Sequence, residues 1–355
     1  MSNVVVVEAD GALVFLDVLE GSLRSGRPLS DGEVERIFST GFMSFMVDAY
    51  SSMVGLTRAD VASFLRNLGE ENPVSVDPVK SLFEDGFRSC YDVERIAELR
   101  GNVEKILGID FEGAERMALS CLPPGTVIEC TVYLTVDAFN PGMVWEGGMG
   151  RSILSPVRDG GDLSHLAHEF HHLGFGYWVS KSPALERAFR GEKTHDSVAA
   201  RLVLHLIMEG MANHFCTPSM VRPGPGRNPR VNEKITRYEK EIRGMLGEVT
   251  SLLADCVAKR RPLERCEGRL MDIVLDKERM LPKVHFLGAK VMELFDGDSE
   301  MGRDEIVGLC RNPRKFLSMY NKVAEKSDLP IIDDETRRGL ECLFERLMRA
   351  NAASG

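Results

Sequence analysis

Four of the eight histidines in this chain fall within residues 165–172. The centre of that segment reads HEFHH, with His168 first and His172 last, and it matches the pattern H-E-x-x-H. Two histidines four positions apart lie on one face of a helix, about one turn from each other, so both imidazoles can converge on one ion. The fold must therefore place a helix here, with a further ligand on a neighbouring element.

This pattern indicates zinc chemistry. Zn²⁺ accepts two imidazole nitrogens and one further protein ligand, which leaves a fourth position for water. Glu169 directly follows the first histidine, where its carboxylate can take a proton from a water whose pKa the metal lowers. The segment thus predicts Zn²⁺ as cofactor, His168 and His172 as ligands and Glu169 as general base. A helix that merely carries several histidines is the alternative, because short patterns also arise by chance.

A second segment, residues 206–215 (LIMEGMANHF), supplies the candidate for the third ligand. Glu209 lies among apolar residues, and a buried carboxylate needs a partner such as a metal. A glutamate that points to solvent at a helix end is the alternative. Asn213 follows four residues later on the same face. We expect it to accept a hydrogen bond from the non-metal nitrogen of His168 or His172.

Small residues surround this glutamate. Gly210 and Ala212 leave little side chain on their helix. We therefore expect this helix to approach the helix of His168 closely.

HEFHHLGF followed by MEGMAN resembles the gluzincin branch of the zincin metallopeptidases, which pairs H-E-x-x-H with a glutamate on a following helix. The chain is also similar to a set of poorly characterised predicted zinc-dependent peptidases. These combine HE-x-HH-x-G, an E-G-x-A helix and a later aromatic-x-x-G segment. The resemblance covers about residues 126–320. The separation of His172 and Glu209 is longer than in thermolysin-like enzymes, and an inserted loop at residues 180–195 accounts for it.

The resemblance implies a zinc metallopeptidase that acts on a peptide or protein substrate. It also implies a polar donor from a C-terminal helix that stabilises the oxyanion, and such a donor contributes a few kcal/mol to the transition state. His285 is the candidate for this catalytic role, ahead of Tyr320 and Tyr177. By the same resemblance, the strand before the first metal helix, residues 151–156, lines the cleft and pairs with an extended substrate.

The patterning predicts mostly helices in the first third of the chain. Residues 126–136 form the clearest strand, residues 137–150 a turn-rich loop and residues 151–157 a second short strand. Helices return from Asp162, and we expect Gly174 and Gly176 to end the first of them. The predicted fold class is α+β and predominantly α-helical. By resemblance it is zincin-like, with a small β-sheet beside the H-E-x-x-H helix and a helical C-terminal part.

This order of elements predicts three regions. Residues 1–124 form a helical N-terminal region, and residues 125–216 form the zincin-like catalytic core. Residues 217–355 form a helical C-terminal region that closes the cleft.

Composition excludes some partners. The net charge of −10 is spread over interleaved acidic and basic residues, which argues against nucleic acid because phosphates need a basic face. No apolar run reaches the length of a membrane span, and the N-terminus lacks the features of a secretory signal. We therefore expect a cytoplasmic protein without a membrane partner. The oligomeric state stays unknown at this point.

Two other classes of function remain open. A ferritin-like di-iron carboxylate protein needs two Glu-x-x-His motifs on long helices, and Glu169-x-x-His172 and Glu192-x-x-His195 supply the spacing. The polar sequence around Glu192, which is typical of a loop, argues against it. The other is a catalytically inactive binding protein with the zincin fold. The retained Glu169 argues against that interpretation, because a purely structural zinc site has no use for a base.

Overall fold

The computed structural model describes residues 4–70, 72, 74–157, 161–276 and 280–349 of the chain. Helices account for 67% of the residues, and the sheet is small and mixed. The structure therefore confirms a predominantly helical chain with a minor sheet. None of the helices in the described ranges combines the length and the apolar character that crossing a bilayer requires.

The helices follow one another in chain order and leave little extended chain between them. They are α1 Asp10–Ser25, α2 Asp31–Phe38, α3 Gly41–Val54, α4 Arg58–Arg66, α5 Pro78–Arg88, α6 Val93–Leu107, α7 Phe111–Leu119, α8 Gly161–Ser180, α9 Pro183–Phe189, α10 His195–Met211, α11 Pro229–Val257, α12 Leu263–Val274, α13 Lys283–Gly297, α14 Arg303–Val307, α15 Lys315–Lys326 and α16 Asp334–Arg349. A π-helical turn, Ala212–Cys216, continues α10.

The sheet has four strands in the order β1-β2-β4-β3. They are β1 Val4–Glu8, β2 Glu129–Thr135, β3 Gly142–Trp145 and β4 Gly148–Ser152. Strand β2 pairs in parallel with both β1 and β4, whereas β3 and β4 form an antiparallel hairpin. The hairpin turns at Glu146 and Gly147, which both have positive φ, as a type I′ turn requires.

The sheet differs from its prediction at both ends. Strand β2 lies within predicted residues 126–136, but β1 was not predicted, and β3 lies inside the predicted loop at residues 137–150. Strand β4 begins at Gly148, ends at Ser152 and is paired on both sides, by β2 and by β3. The expectation that residues 151–156 pair with substrate is therefore wrong for β4, because its two edges are already occupied. Strands β1 and β3 form the two edges of the sheet, and β3 is the edge next to β4.

Helix α8 is longer than predicted. It continues through Gly174 and Gly176 to Ser180, so the expectation that these glycines end it is wrong. A Cβ at Gly174 would lie 2.3 Å from Leu122 Cδ1, which shows that this glycine permits close packing. Neither glycine has the positive φ of a helix C-terminus.

The predicted inserted loop at residues 180–195 also contains a helix, α9. The side chain of Ser182 caps it, and Pro183 occupies its first turn. Proline is favoured there because its missing N–H would lack a helical partner in any case.

The chain divides into two compact units. The first, Met1–Ala114 with Ile128–Glu169, contains the sheet and a core in which the ring of Phe15 contacts those of Phe42 and Phe87. The second, Glu115–Val127 with Phe170–Gly355, contains α9 to α16, among which α10 packs closely on α13. Helix α8 is continuous; it begins in the first unit and ends in the second.

Candidate metal and catalytic site

Three helices carry the candidate site residues. Helix α8 contributes the H-E-x-x-H residues, and α10 contributes Glu209 near its C-terminal end. Helix α13 contributes His285 in its first turn. Glu209 is only 8% exposed and His168 only 3%. A carboxylate this deeply enclosed requires polar or cationic partners, so its surroundings decide what it can do.

Glu209 lies among histidines. One carboxylate oxygen, Oε1, is 3.4 Å from Nε2 of His172, and the other, Oε2, is 3.1 Å from Nδ1 of His285. Glu209 and His285, both in the second unit, belong to a group of three residues that could hold a metal ion. Within the second unit the structure therefore brings the predicted ligands His172 and Glu209 together, and it places His285 beside them.

A contact between two glycines places Glu209 beside His285. A Cβ at Gly210 would lie 2.6 Å from the carbonyl oxygen of Gly288, and a Cβ at Gly288 would lie 2.6 Å from the carbonyl oxygen of Leu206. Helices α10 and α13 thus meet backbone to backbone, which only glycine permits. Gly210 therefore faces the backbone of α13, whereas the expectation that Gly210 and Ala212 let α10 approach the helix of His168 stays a prediction.

Asn213 lies between Glu209 and His285. Its Nδ2 donates to the main-chain oxygen of Glu209 at 2.8 Å and lies 3.1 Å from Nδ1 of His285. Thr217 donates to its Oδ1 at 3.4 Å. The structure therefore places Asn213 against α13, whereas its predicted bond to His168 or His172 stays a prediction.

Glu169 lies beside another histidine, His165, which precedes it by one helical turn. Nε2 of His165 is 3.9 Å from Oε1 of Glu169. Burial lowers the pKa of His165 to about 3, and the neighbouring charges of His168 and Arg151 act in the same direction. The His165 imidazole is therefore neutral at pH 7.

A further histidine, His205, lies one turn before Glu209 on α10. Burial lowers its pKa to about 4, although the charge of Glu209 acts in the opposite direction. This imidazole is also neutral at pH 7, so it does not neutralise the Glu209 carboxylate.

The donor set fits zinc. Two imidazoles and one carboxylate form the ligand set of many catalytic zinc sites. Two ligand atoms about 2.0–2.1 Å from one tetrahedral ion lie about 3.3 Å apart. The 3.4 Å between Nε2 of His172 and Oε1 of Glu209 agrees with that separation.

The second Glu-x-x-His pair lies elsewhere. Glu192 lies in the turn between α9 and α10, and Nε2 of His195 is 2.8 Å from the carbonyl oxygen of Arg261. In the described part of the chain, the group of three potential metal ligands includes neither residue. The geometry offers no support for a di-iron site.

The fold and the donor set together define a class: a predominantly helical protein with a candidate zinc site. Residues 82–329, which include every candidate site residue, match the model of the family described as "Putative zinc dependent peptidase (DUF5700)". The match covers more than two thirds of the chain, and the chain belongs to this family. No curated protein and no solved structure shows a significant match. The family match supports the zinc-dependent peptidase class expected from the sequence.

Sequence reasoning overlooked two features of the site. His165 precedes Glu169 by four residues, a spacing that places both on one helix face, and this was the available signal. The approach of His285 to Glu209 had a weaker signal, which was the presence of a glycine shortly after each residue. Neither glycine indicated by itself which helix would be its partner.

Proposed function

We propose that this protein is a gluzincin-type zinc metallopeptidase in which His168, His172 and Glu209 hold the metal. The observation that carries the proposal is the 3.4 Å separation of Nε2 of His172 and Oε1 of Glu209. These atoms come from two helices, and their separation is what a shared tetrahedral ion requires. Membership of the zinc-dependent peptidase family supports the choice of metal and of reaction.

Glu169 is the proposed general base. Zn²⁺, when bound, supplies Lewis-acid polarisation of the scissile carbonyl and acidifies a water. Glu169 directly follows the ligand His168 and is 7% exposed, so its carboxylate is shielded from competing solvent. It accepts a proton from the attacking water and then delivers that proton to the nitrogen of the leaving amine.

His285 is the proposed oxyanion donor. Nδ1 of His285 lies 3.1 Å from both the amide Nδ2 of Asn213 and Oε2 of Glu209. The proposed role requires the form of the imidazole that carries a proton on Nε2. That N–H can donate to the carbonyl oxygen as negative charge develops on it. A donor in this role contributes a few kcal/mol to the stability of the transition state.

The proposed substrate is an extended peptide or protein segment that pairs with β3. This strand is one of the two edges of the sheet, and a Cβ at its first residue, Gly142, would lie 3.2 Å from Oε1 of Glu169. A peptide added to a sheet edge gains main-chain hydrogen bonds whatever its side chains are. Pairing with β3 would bring the scissile bond beside the general base.

Hydrolysis of a peptide library by the zinc-loaded protein and by its Glu169→Gln variant tests the proposal. Because the amide that replaces the carboxylate cannot accept the proton, we expect kcat/KM to fall by about 10²–10⁴-fold. The zinc content should stay equal to that of the parent. Glu192→Gln, a matched substitution in the turn between α9 and α10, should leave both quantities unchanged.

Two outcomes would contradict the proposal. Equal hydrolysis by the parent and by Glu169→Gln would show that Glu169 is not the general base. A zinc-loaded parent that cleaves no peptide would favour the inactive binding protein with the zincin fold.

A further inference from the structure

We infer that His165 is a positioning residue for Glu169, whose carboxylate it orients beneath the edge strand β3. The inference rests on the proposed role of Glu169 as general base. In this role His165 acts through the carboxylate of Glu169.

One face of α8 lies against the β3–β4 hairpin. Asp162, His165 and Glu169 are spaced i, i+3 and i+7, so their side chains lie along the same face. Gly142 of β3 and Arg151 of β4 are direct cross-strand partners. Nη2 of Arg151 is 3.3 Å from Oδ1 of Asp162, and Arg151 is only 1% exposed. This buried ion pair fixes the first turn of α8 on the hairpin.

One turn further along α8, the hairpin covers His165. A Cβ at Gly142 would lie 2.8 Å from Nε2 of His165 and 3.2 Å from Cγ and Oε1 of Glu169. The strand therefore lies directly on both side chains. Glycine at this position is what lets an imidazole and a carboxylate share the space below β3.

Among the described residues, Glu169 is the carboxylate that approaches Nε2 of His165. The atom is buried and has no hydrogen-bond partner among the described residues. Oε1 of Glu169 is 3.9 Å from this nitrogen, which is longer than a hydrogen bond. Catalytic hydrogen bonds are often long before substrate binds and shorten in the complex. A small rotation of the Glu169 side chain would close this one.

The two carboxylate oxygens of Glu169 then have different roles. Oε1 accepts from Nε2–H of His165, which restrains the rotation of the carboxylate. Oε2 is the oxygen that we assign to accept the proton from water. Misplacement of a reacting group by about 1 Å can lower a rate by about 10²-fold, so such a restraint is significant for catalysis.

Kinetics of two variants test the positioning role. His165→Leu removes the donor, and we expect kcat to fall by about 10- to 100-fold while KM changes by less than about twofold. Zinc content should not change. His165→Gln places an amide N–H near the same point and should recover most of kcat. His195→Leu, the same substitution far from the site, should behave as the parent.

A second measurement does not depend on hydrolysis. In protein labelled with ¹⁵N-histidine and loaded with zinc, the ¹⁵N shifts report which nitrogen of His165 carries the proton. The signal is assigned by its loss in His165→Gln. We expect the proton on Nε2, and we expect its ¹H resonance to move upfield in Glu169→Gln, where the acceptor is weaker.

The inference is overturned if Nε2 of His165 carries no proton, or if the ¹H shift of that proton is unchanged in Glu169→Gln. It is also overturned if His165→Leu has the kcat of the parent. A parent that cleaves no peptide contradicts the proposed function instead. In that event the spectrum still decides whether His165 donates to Glu169.

Discussion

Two glycine contacts support the candidate site, and they differ in what the glycine touches. At the crossing of α10 and α13, Gly210 meets the backbone of Gly288. At the hairpin, Gly142 meets the ends of two side chains, His165 and Glu169. Backbone inside packed helices cannot move aside, whereas side chains can rotate by a few tenths of an ångström. Main-chain contacts therefore fix the position of the proposed ligand Glu209. The proposed base, Glu169, is positioned by side-chain contacts that can adjust.

The largest effect should follow from an added methyl at the backbone contact. Gly288→Ala would place a Cβ 2.6 Å from the carbonyl oxygen of Leu206, so α13 must shift away from α10. Overpacking typically lowers the free energy of unfolding by about 1–3 kcal/mol and occasionally more. We expect a loss at the upper end of that range, measured by urea unfolding, because no side chain can yield.

Gly142→Ala is the matched control for that prediction. Its Cβ meets side-chain ends alone, so the free energy of unfolding should change by less than about 1 kcal/mol. Its effect should appear in kcat, because His165 and Glu169 must move. Equal losses of stability in Gly142→Ala and Gly288→Ala would remove the distinction between the two contacts.

The side of the site formed by the β3–β4 hairpin should also show a pH-dependent stability, because of Asp137. Oδ1 of Asp137 accepts from the main-chain N–H groups of Phe139 and Asn140, which shapes the turn that leads into β3. Burial raises the pKa of Asp137 to about 6, although hydrogen bonds from Tyr50 and from the turn act against it. The stabilisation that a raised pKa provides is complete below the unfolded pKa of about 3.9 and is lost as pH rises through about 6.

In the parent, the free energy of unfolding should therefore fall by on the order of 1–3 kcal/mol between about pH 4 and pH 7. Asp137→Asn should abolish this fall. Subtraction from the parent at each pH cancels the contribution of the metal. Asp333→Asn is the control with opposite sign, because the N–H and hydroxyl of Thr336 lower the pKa of Asp333. Relative to the parent, Asp333→Asn should lose the most free energy of unfolding near neutral pH and none in acid. An Asp137→Asn curve parallel to that of the parent would show that this carboxyl does not titrate abnormally.

The sequence predicted those parts of the fold and site that depend on local pattern. The helix of His168, the helix of Glu209 and the strand β2 follow from residue spacing and from β-branched runs. The positions of β1, and of Glu209 relative to His285, depend on contacts between residues far apart in the chain, which no local pattern contains.

Glycines caused the errors of interpretation. Gly174 is predicted to end a helix, but it packs against Leu122, and the contact of Gly210 with α13 was not predicted. Glycine allows both positive φ and close approach, and the sequence does not distinguish these uses. The Glu146-Gly147 turn was the overlooked signal for the β3–β4 hairpin.

The zinc content of three purified variants tests the central claim most directly, because His172 and His285 both approach Glu209. We predict near-stoichiometric zinc in the parent and its loss in His172→Ala. His285→Ala should keep its zinc and lose kcat instead, and His195→Ala should match the parent in both. Zinc that persists in His172→Ala and disappears in His285→Ala would contradict the assignment of the ligands.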